Sequence, residues 1–443
     1  MSLGVQSART VLVLGSGGRE HALCHALLKS PEVKQVICAP GNDGMGPEIE
    51  RWPARLTQVE SFQDLADRAR ARGIDLVVVG PDDPLSLGIV DVLKKNGLTV
   101  FGPTRAASQL EWSKGFAKQI LRDTDAPTAR GVWVKTIQEA ERFLSSVAWP
   151  GTPGSGWVIK ADGLALGKGV VVCETYEQAL QAATHLISVS GSLVIEERLV
   201  GEELSWIAIC DGTDFRMLEP ARDHKRLRDG DQGPNTGGMG AFSPVPGVTE
   251  NLREKIKSQV FTPVLKAMRD RGASFVGALY AGLMWNPKTD QFWVIEFNAR
   301  FGDPEAQVLL PRIEGSLFQI LDRAARGQLS EIGEIPMSSQ THIAVVLASP
   351  GYPESPRVGE ELGALDRYRA PDYFMAGVKF AQNQKSLVSS GGRVLAVHAQ
   401  GANLQQARDS VYPRIQALAL EWAHYRRDIG SPESGFTSKV SSP

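Results

Sequence analysis

Cysteine is scarce in this chain. Cys24, Cys38, Cys173 and Cys210 are the only four in 443 residues, and no two stand in a Cys-x-x-Cys spacing. That argues against a disulfide frame or a zinc ribbon and fits reduced, buried thiols in a cytoplasmic protein. An excess of one charge is missing too. The 48 basic residues face 50 acidic ones, for a net charge of -2, so there is no electrostatic footprint for nucleic acid. No apolar run approaches the roughly 20 residues that cross a bilayer, and no membrane partner is expected. Val11-Leu12-Val13-Leu14 runs straight into glycines and Arg19-Glu20-His21, unlike a signal peptide. There is no long-period repeat. Residues 1–10 read as a disordered lead and 431–443, rich in Ser, Gly and Pro, as a disordered tail.

What is present is ordinary globular composition, 42% hydrophobic and 22% charged, at a length that suggests about three domains. Strands and helices alternate from Val11 to Phe101, which predicts a parallel α/β domain with ligand loops at the carboxyl ends of its strands. Gly15-Ser16-Gly17-Gly18-Arg19-Glu20 resists a dinucleotide reading. Glu20 stands where Gly or Ala is wanted, and Ala39-Pro40 close the second strand in place of an acid. The glycines at a helix N-terminus suit a phosphate, and a phosphorylated sugar fits better than NAD. His21 reads as a helix-surface residue without a role.

Beyond a linker at Pro127-Thr128-Ala129 the chain turns β-rich. Trp157 to Lys160 and Val170 to Cys173 read as two strands around the glycine-rich loop Ala161 to Gly169, with Lys160 and Lys168 as point charges for phosphates. It is not a Walker loop, because it joins two strands. Leu193 to Glu197 is a strand, and the edge through Leu199 to Glu203 can read an adenine and its ribose. Residues 230–240 hold so much Gly, Asp and Asn that they must form a shaped loop without secondary structure. A small C-terminal α+β domain with few clustered polar residues is expected to be structural cover.

The densest chemistry lies in Phe292 to Glu305. An apolar strand turns polar without ending: Glu296-Phe297-Asn298-Ala299-Arg300-Phe301-Gly302-Asp303-Pro304-Glu305. Alternation puts Val294, Glu296, Asn298 and Arg300 on one wall and Trp293, Ile295 and Phe297 on the other. Two hard oxygen ligands suit a magnesium ion that takes its other ligands from water and phosphates. The adjacent Arg suits a developing phosphoryl or carboxylate charge.

Taken together, several stretches resemble the phosphoribosylamine–glycine ligase family (glycinamide ribonucleotide synthetases) of ATP-grasp enzymes. They are Gly17 to Ala22, Pro40-Gly41-Asn42, Gly102-Pro103-Thr104, Ser113-Lys114, Ile159 to Ala165 with Gly167-Lys168-Gly169, Asp223-His224-Lys225-Arg226, Gly233 to Gly240, Glu296 to Glu305, Gly391 to Val394 and Asp428-Ile429-Gly430. The resemblance implies α/β and α+β multidomain architecture: a parallel α/β N-terminal (pre-ATP-grasp) domain at 11–126, and a two-part ATP-grasp of a flap subdomain at 127–197 and a central subdomain at 198–336. A small C-terminal α+β domain follows at 337–430. It implies ligation of glycine to 5-phosphoribosylamine, with ATP and Mg2+ or Mn2+, through glycyl phosphate. Lys114, Lys160 and Lys168 would hold ATP phosphates, and Glu196, Glu197, Leu199 and Glu203 its adenine and ribose. Glu296 and Asn298 would bind the metal. Arg300 and Asp223 would be catalytic, and Gly17, Gly18, Arg19, Asn42, Asp223, Lys225, Asn235 and Arg300 would face the substrates. The one protein partner considered is the enzyme that supplies phosphoribosylamine, in transient contact.

The chain departs from the family pattern at Trp112 (usually Gly), Arg222 (often Gln) and Met375 (often His), and the stretch Leu186 to Ser192 is short. Two other functions fit parts of the pattern: another purine-pathway ATP-grasp ligase or formyltransferase, and a silent nucleotide-binding protein. The Asp223 to Arg226 segment argues against the former.

Overall fold

The computed structural model describes residues 8–147, 156–163, 169–382 and 384–431. Lys168, most of its loop and nearly all of the expected lead and tail lie outside the described residues.

Elements are numbered in chain order. The first five strands, β1 (Arg9–Gly15), β2 (Val33–Pro40), β3 (Ile49–Arg51), β4 (Leu76–Val79) and β5 (Val100–Phe101), form one parallel sheet in the order β3-β2-β1-β4-β5. Between and after them run α1 (Gly18–Leu28), α2 (Phe62–Arg72), α3 (Asp82–Ser86), α4 (Ile89–Lys95) and α5 (Arg105–Trp112). The β1 sequence explains its place: Leu12 and Leu14 enter one buried cluster, Val11 and Val13 the other. A strand apolar on both faces can only lie between two layers. The parallel α/β expectation therefore holds, with β3 an unforeseen edge strand.

After α6 (Lys114–Asp123), an antiparallel sheet of order β6-β9-β7-β8 is built from β6 (Gly131–Val134), β7 (Trp157–Ala161), β8 (Val170–Cys173) and β9 (Leu193–Glu197). It is backed by α7 (Ile137–Ser146) and α8 (Tyr176–Ser190) around a separate core that includes Trp157 and Ile195. A second antiparallel sheet, β11-β10-β16-β17, uses β10 (Glu202–Asp211), β11 (Phe215–Met217), β16 (Val276–Asn286) and β17 (Gln291–Asn298). Two helices, α9 (Glu250–Ile256) and α10 (Thr262–Asp270), are joined by a π-helical turn at Lys257–Phe261.

The loop expected at 230–240 contains structure. β13 (Arg226–Arg228) and β14 (Gln232–Asn235) form a hairpin, and β12 (Arg222–Asp223) and β15 (Gly240–Ser243) leave it to enter the last large sheet. That sheet, β12-β15-β18-β23-β20, adds β18 (Thr341–Ala348), β20 (Tyr373–Met375) and β23 (Arg393–Gly401). A three-stranded sheet of β19 (Glu361–Gly363), β21 (Val378–Phe380) and β22 (Leu387–Ser389) stands beside it. The remaining helices are α11 (Ala306–Leu309), α12 (Leu317–Ala325) and α13 (Leu404–Leu418). No helix among the described residues is long and apolar enough to cross a membrane.

The N- and C-terminal parts meet at a histidine-lined seam, and here His21 departs from expectation. It is 2% exposed and accepts the Met375 amide N–H at Nδ1, 2.9 Å away. His21, His25 and His398 surround the Phe374 ring, and His342 Nδ1 lies 2.9 Å from His398 Nε2. Burial lowers His21 to about 3, with His25 adding to the shift. A histidine that must stay neutral when folded keeps its stabilising effect above its unfolded value of 6.5 and loses it as pH falls through the window down to about 3. Within that window His21→Asn, which retains an acceptor near Nδ1, should reduce the pH slope of unfolding free energy by about 1.4 kcal/mol per pH unit. Urea titrations of both proteins from pH 6 to pH 4 would show it; parallel slopes would contradict the assignment.

Candidate active site

Strand β17 does not alternate as the sequence suggests. Leu283 pairs with Val294 but Gly282 pairs with Glu296, so Ile295 is an extra residue in a β-bulge. Phe292, Val294, Phe297 and Ala299 enter the core. Glu296, Asn298 and Arg300 remain partly exposed. The polar wall therefore forms without Val294, because the bulge flips the face between Val294 and Glu296, and such bulges re-aim side chains beside active sites. Gly282 makes room across the strand: a Cβ there would lie 2.9 Å from Glu296 Cγ.

Lysines converge on this wall. Lys225, in the turn from β12 to β13, places Nζ 2.9 Å from Glu296 Oε1 and 3.4 Å from Glu203 Oε2. Lys225 pulls the Glu296 carboxyl down to about 2, with Lys160 and Lys114 adding to the shift. Burial alone would lower Lys225, but Glu203 and Glu296 outweigh it and raise the ammonium well above its usual range. Lys160 donates to the Ile295 carbonyl at 2.9 Å, gripping the bulge itself.

Lys160 also lies 2.5 Å from Glu196 Oε2, and Lys118 lies 2.8 Å from Glu196 Oε1. Glu196 is 5% exposed. Burial would raise its carboxyl, yet Lys160 and Lys118 hold it below the usual range. Its carboxylate thus sets the position of Lys160 and is not open toward a nucleotide. Glu197 accepts from the Arg130 amide at 2.9 Å, and Leu199 is half-buried on the connection to β10.

Lys114 is the first residue of α6. The Ser113 hydroxyl caps that helix by accepting from Phe116 N at 3.1 Å, and Lys114 Nζ donates to Gly163 O at 2.9 Å. Asp162, beside Gly163, accepts from Ser113, from the Gly115 amide and from Ser192. The short stretch before β9 is the end of α8 closed by Gly191 in the left-handed conformation. The Trp112 indole N–H points to Arg105 O, 3.4 Å away on its own helix.

Arg300 Nη2 lies 3.0 Å from Glu111 Oε1, and Nη1 donates to Phe301 O at 3.3 Å. Burial pushes Glu111 up to about 7, against the pull of Arg300. Burial would lower Arg300, but Glu111 and Asp82 raise it further into the charged range.

The N-terminal loop is more closed than the sequence suggests. Glu20 accepts from the Gly17 amide at 2.6 Å and from Arg19 Nε at 2.5 Å, and its side chain lies over Gly15 and Gly80. Arg19 also donates to Phe301 O at 3.2 Å. Gly17 faces Asp303, and Gly18 faces Gln307. Asn42 is fully engaged: Nδ2 donates to Ser16 O and Met375 O, and Oδ1 accepts from Gly44 N. Met375 meets His21 and Asn42 through its backbone, so the missing imidazole there is not needed for these contacts.

Asp223 is 9% exposed, accepts from the His224 amide at 2.7 Å, and is pushed well up by burial and by Glu305. Arg222 is held by Glu202 at 2.6 Å. Asn235 is exposed on β14, paired with Arg226. The C-terminal part is more than cover: Arg393 donates to Gly237 O at 2.6 Å and to Asp303 Oδ2 at 3.1 Å, and Tyr352 accepts from the Gly237 amide. Lys118, Glu111 and Arg393 had no role in the sequence reading. Arg393 alone lay in a matched stretch.

Glu296 and Asn298 are the two oxygen-bearing side chains at this end of β17 that could be offered to a divalent cation. Glu296 stays ionised, both side chains are partly open, and Lys225, Lys160 and Lys114 act on Glu296. No cluster of three or more His, Cys, Asp or Glu suited to a metal occurs among the described residues.

Three family models match in order: phosphoribosylglycinamide synthetase N domain over residues 9–111, its ATP-grasp (A) domain over 112–306, and its C domain over 342–432. Phosphoribosylamine–glycine ligase of Streptomyces coelicolor is 42% identical over 430 residues, covering 96% of this chain and 99% of that protein. The Nostoc enzyme of the same name is 41% identical over 427 residues, 95% of this chain and 98% of its own. The crystal structure of the Thermotoga maritima phosphoribosylamine–glycine ligase superposes with a TM-score of 0.80 at 31% identity, covering 95% of this chain and 100% of that one. A biotin carboxylase domain from Hydrogenobacter thermophilus, solved with MgADP, shares the fold alone at 16% identity and a TM-score of 0.65.

Two substitutions probe the geometry. Glu196→Ala leaves two buried lysines without a counter-charge and should cost about 3–5 kcal/mol in chemical denaturation. A loss below about 1 kcal/mol would mean water already screens them. Gly282→Ala should displace Glu296 and lower metal-dependent turnover at least about tenfold, with the fold intact by circular dichroism. Unchanged turnover would show that the strand absorbs the methyl group.

Proposed function

The chain belongs to the phosphoribosylglycinamide synthetase family, and on that premise we propose how its residues divide the work of the reaction. The enzyme ligates glycine to 5-phosphoribosylamine with ATP, giving glycinamide ribonucleotide, ADP and phosphate in purine biosynthesis. The observation that carries the assignment of roles is the bulged end of β17, where Glu296 lies within the field of Lys225, Lys160 and Lys114 and Asn298 follows two residues on.

Lys114 and Lys160 hold the phosphates of ATP, one from the start of α6 and one from β7, and Lys168 belongs to the same loop as Lys160 in sequence. Glu197, Leu199 and Glu203 line the adenosine, while Glu196 acts through Lys160. Glu296 and Asn298 would hold magnesium or manganese, and the bound ion would supply positive charge to offset that of the phosphates. A glycine carboxylate oxygen attacks the γ-phosphorus, the bond to ADP breaks, and glycyl phosphate forms. The amine of phosphoribosylamine attacks the acyl carbon, the C–O bond to phosphate breaks, and phosphate leaves. Arg300 offsets the charge of the acyl phosphate. Asp223 and Lys225, with Asn235 on the hairpin, orient the amine and glycine, and Gly17, Gly18, Arg19 and Asn42 shape the phosphosugar side. This division follows from the chemistry of phosphoryl transfer, in which the protein mainly positions groups and neutralises charge.

All four cysteines are buried and unpaired, which supports a reducing, cytoplasmic setting. The near-neutral charge supports small molecules rather than nucleic acid as partners. A short-lived amino sugar favours transient contact with the enzyme that makes it.

Coupled ADP release should require both glycine and 5-phosphoribosylamine generated in the assay; release that ignores either one would sink the reading. Glu296→Gln should cut turnover at saturating magnesium far more than it lowers the melting temperature. Full activity in that variant would remove Glu296 from the metal.

A further inference from the structure

We infer that Glu111, at the end of α5, is a positioning residue that orients Arg300 from the N-terminal domain. The inference rests on the role given to Arg300 above. Glu111 is 9% exposed and divides its carboxylate between neighbouring donors. Oε2 accepts the Ala299 amide at 2.8 Å, and Oε1 takes Arg300 Nη2 at 3.0 Å. One side chain thus fixes both the backbone at the end of β17 and the guanidinium that follows. Ala299 is fully buried, so its amide depends on this acceptor.

The contacts leave one edge of Arg300 unspent. Nη2 is held by Glu111 and Nη1 by Phe301 O, while Nε is buried with no hydrogen-bond partner among the described residues. A buried N–H of this kind is costly unless a ligand supplies an acceptor, and an acyl-phosphate oxygen is an acceptor of the right charge. The other charged groups acting on the pair are Asp82 of α3, Arg19 of α1, Lys114 of α6, and Asp303 and Glu305 of the segment after β17. Of these acids, Glu111 is the one hydrogen-bonded to the guanidinium.

The sequence position gives the contact its consequence. Glu111 lies in the last turn of α5, Ser113 caps α6, and Lys114 opens it. One short segment therefore sets Arg300 through Glu111 and an ATP phosphate through Lys114. It fixes the distance between the donor phosphate and the group that receives the acyl phosphate, which is the geometry an in-line transfer depends on.

Glu111→Gln, Arg300→Lys and the double variant test this, with turnover expressed per ADP-binding site so that a misfolded fraction does not count. Glu111→Gln should lower kcat about 10- to 100-fold with the KM for ATP within about twofold, since a small misplacement of a catalytic group has that effect. The double variant should be no more than about twofold slower than Arg300→Lys, because the two residues act as one unit. A normal kcat in Glu111→Gln beside an impaired Arg300→Lys, or losses that multiply, would overturn the inference. A fully active Arg300→Lys would overturn the role of Arg300 instead. If Glu111→Gln does not fold, Glu111→Asp replaces it: the charge is kept but cannot reach both donors, so the same selective fall in kcat is expected, and normal kcat refutes it.

Discussion

Charge burial is the constraint on which this structure turns. An enzyme that handles triphosphate and acyl phosphate needs cations at depth, and a cation at depth is costly without a counter-charge. Most cations in the site have one, while Lys114 is held by the Gly163 carbonyl. Glu196 lies between Lys118 and Lys160, Lys225 between Glu203 and Glu296, and Arg300 beside Glu111. The acids are not spectators. They keep the site folded before a nucleotide arrives, and they hold the lysines and arginine at fixed separations. Catalysis by positioning requires that preorganisation.

The second constraint is how a strand can be core and site at once. β17 must bury Phe292 and Val294 against the sheet and then present Glu296 and Asn298 to solvent and ligand. Simple alternation would place Val294 and Glu296 together. The extra residue, Ile295, resolves the conflict, and its carbonyl accepts from Lys160. The irregularity is therefore tied to the strand that carries Lys160. Gly282 on the paired strand is the space into which Glu296 fits.

The site is also an interdomain product. The N-terminal part supplies Glu111 and the glycine loop, the flap sheet supplies Lys160, and the C-terminal sheet supplies Arg393 and the backbone of Met375. Two strands of that C-terminal sheet, β12 and β15, flank the hairpin, so Asp223 belongs to the sheet that also holds Arg393. A substrate between these parts touches groups whose spacing depends on all of them. The buried His21 and His398, with the half-buried His25, line Phe374 where the N- and C-terminal parts meet.

Much of this was legible in the residues themselves. Doubly apolar runs such as Val11 to Leu14 specify a parallel sheet between layers, because no other arrangement buries both faces. Glu296, Asn298, Arg300 and the lysine-tipped loops announced phosphate and metal chemistry, because such residue types in one run have no use in a core. The partners of those groups were not legible. Glu111 is 189 residues from Arg300, Lys118 is 78 from Glu196, and Arg393 is 90 from Asp303. Nothing in a local pattern encodes which distant charge will neutralise which. The bulge at Ile295 escaped as well, since it appears only when β17 is laid against β16. Local chemistry decided what the site can do; only tertiary packing decided what holds each charge in place, because pairing is a property of distance in space.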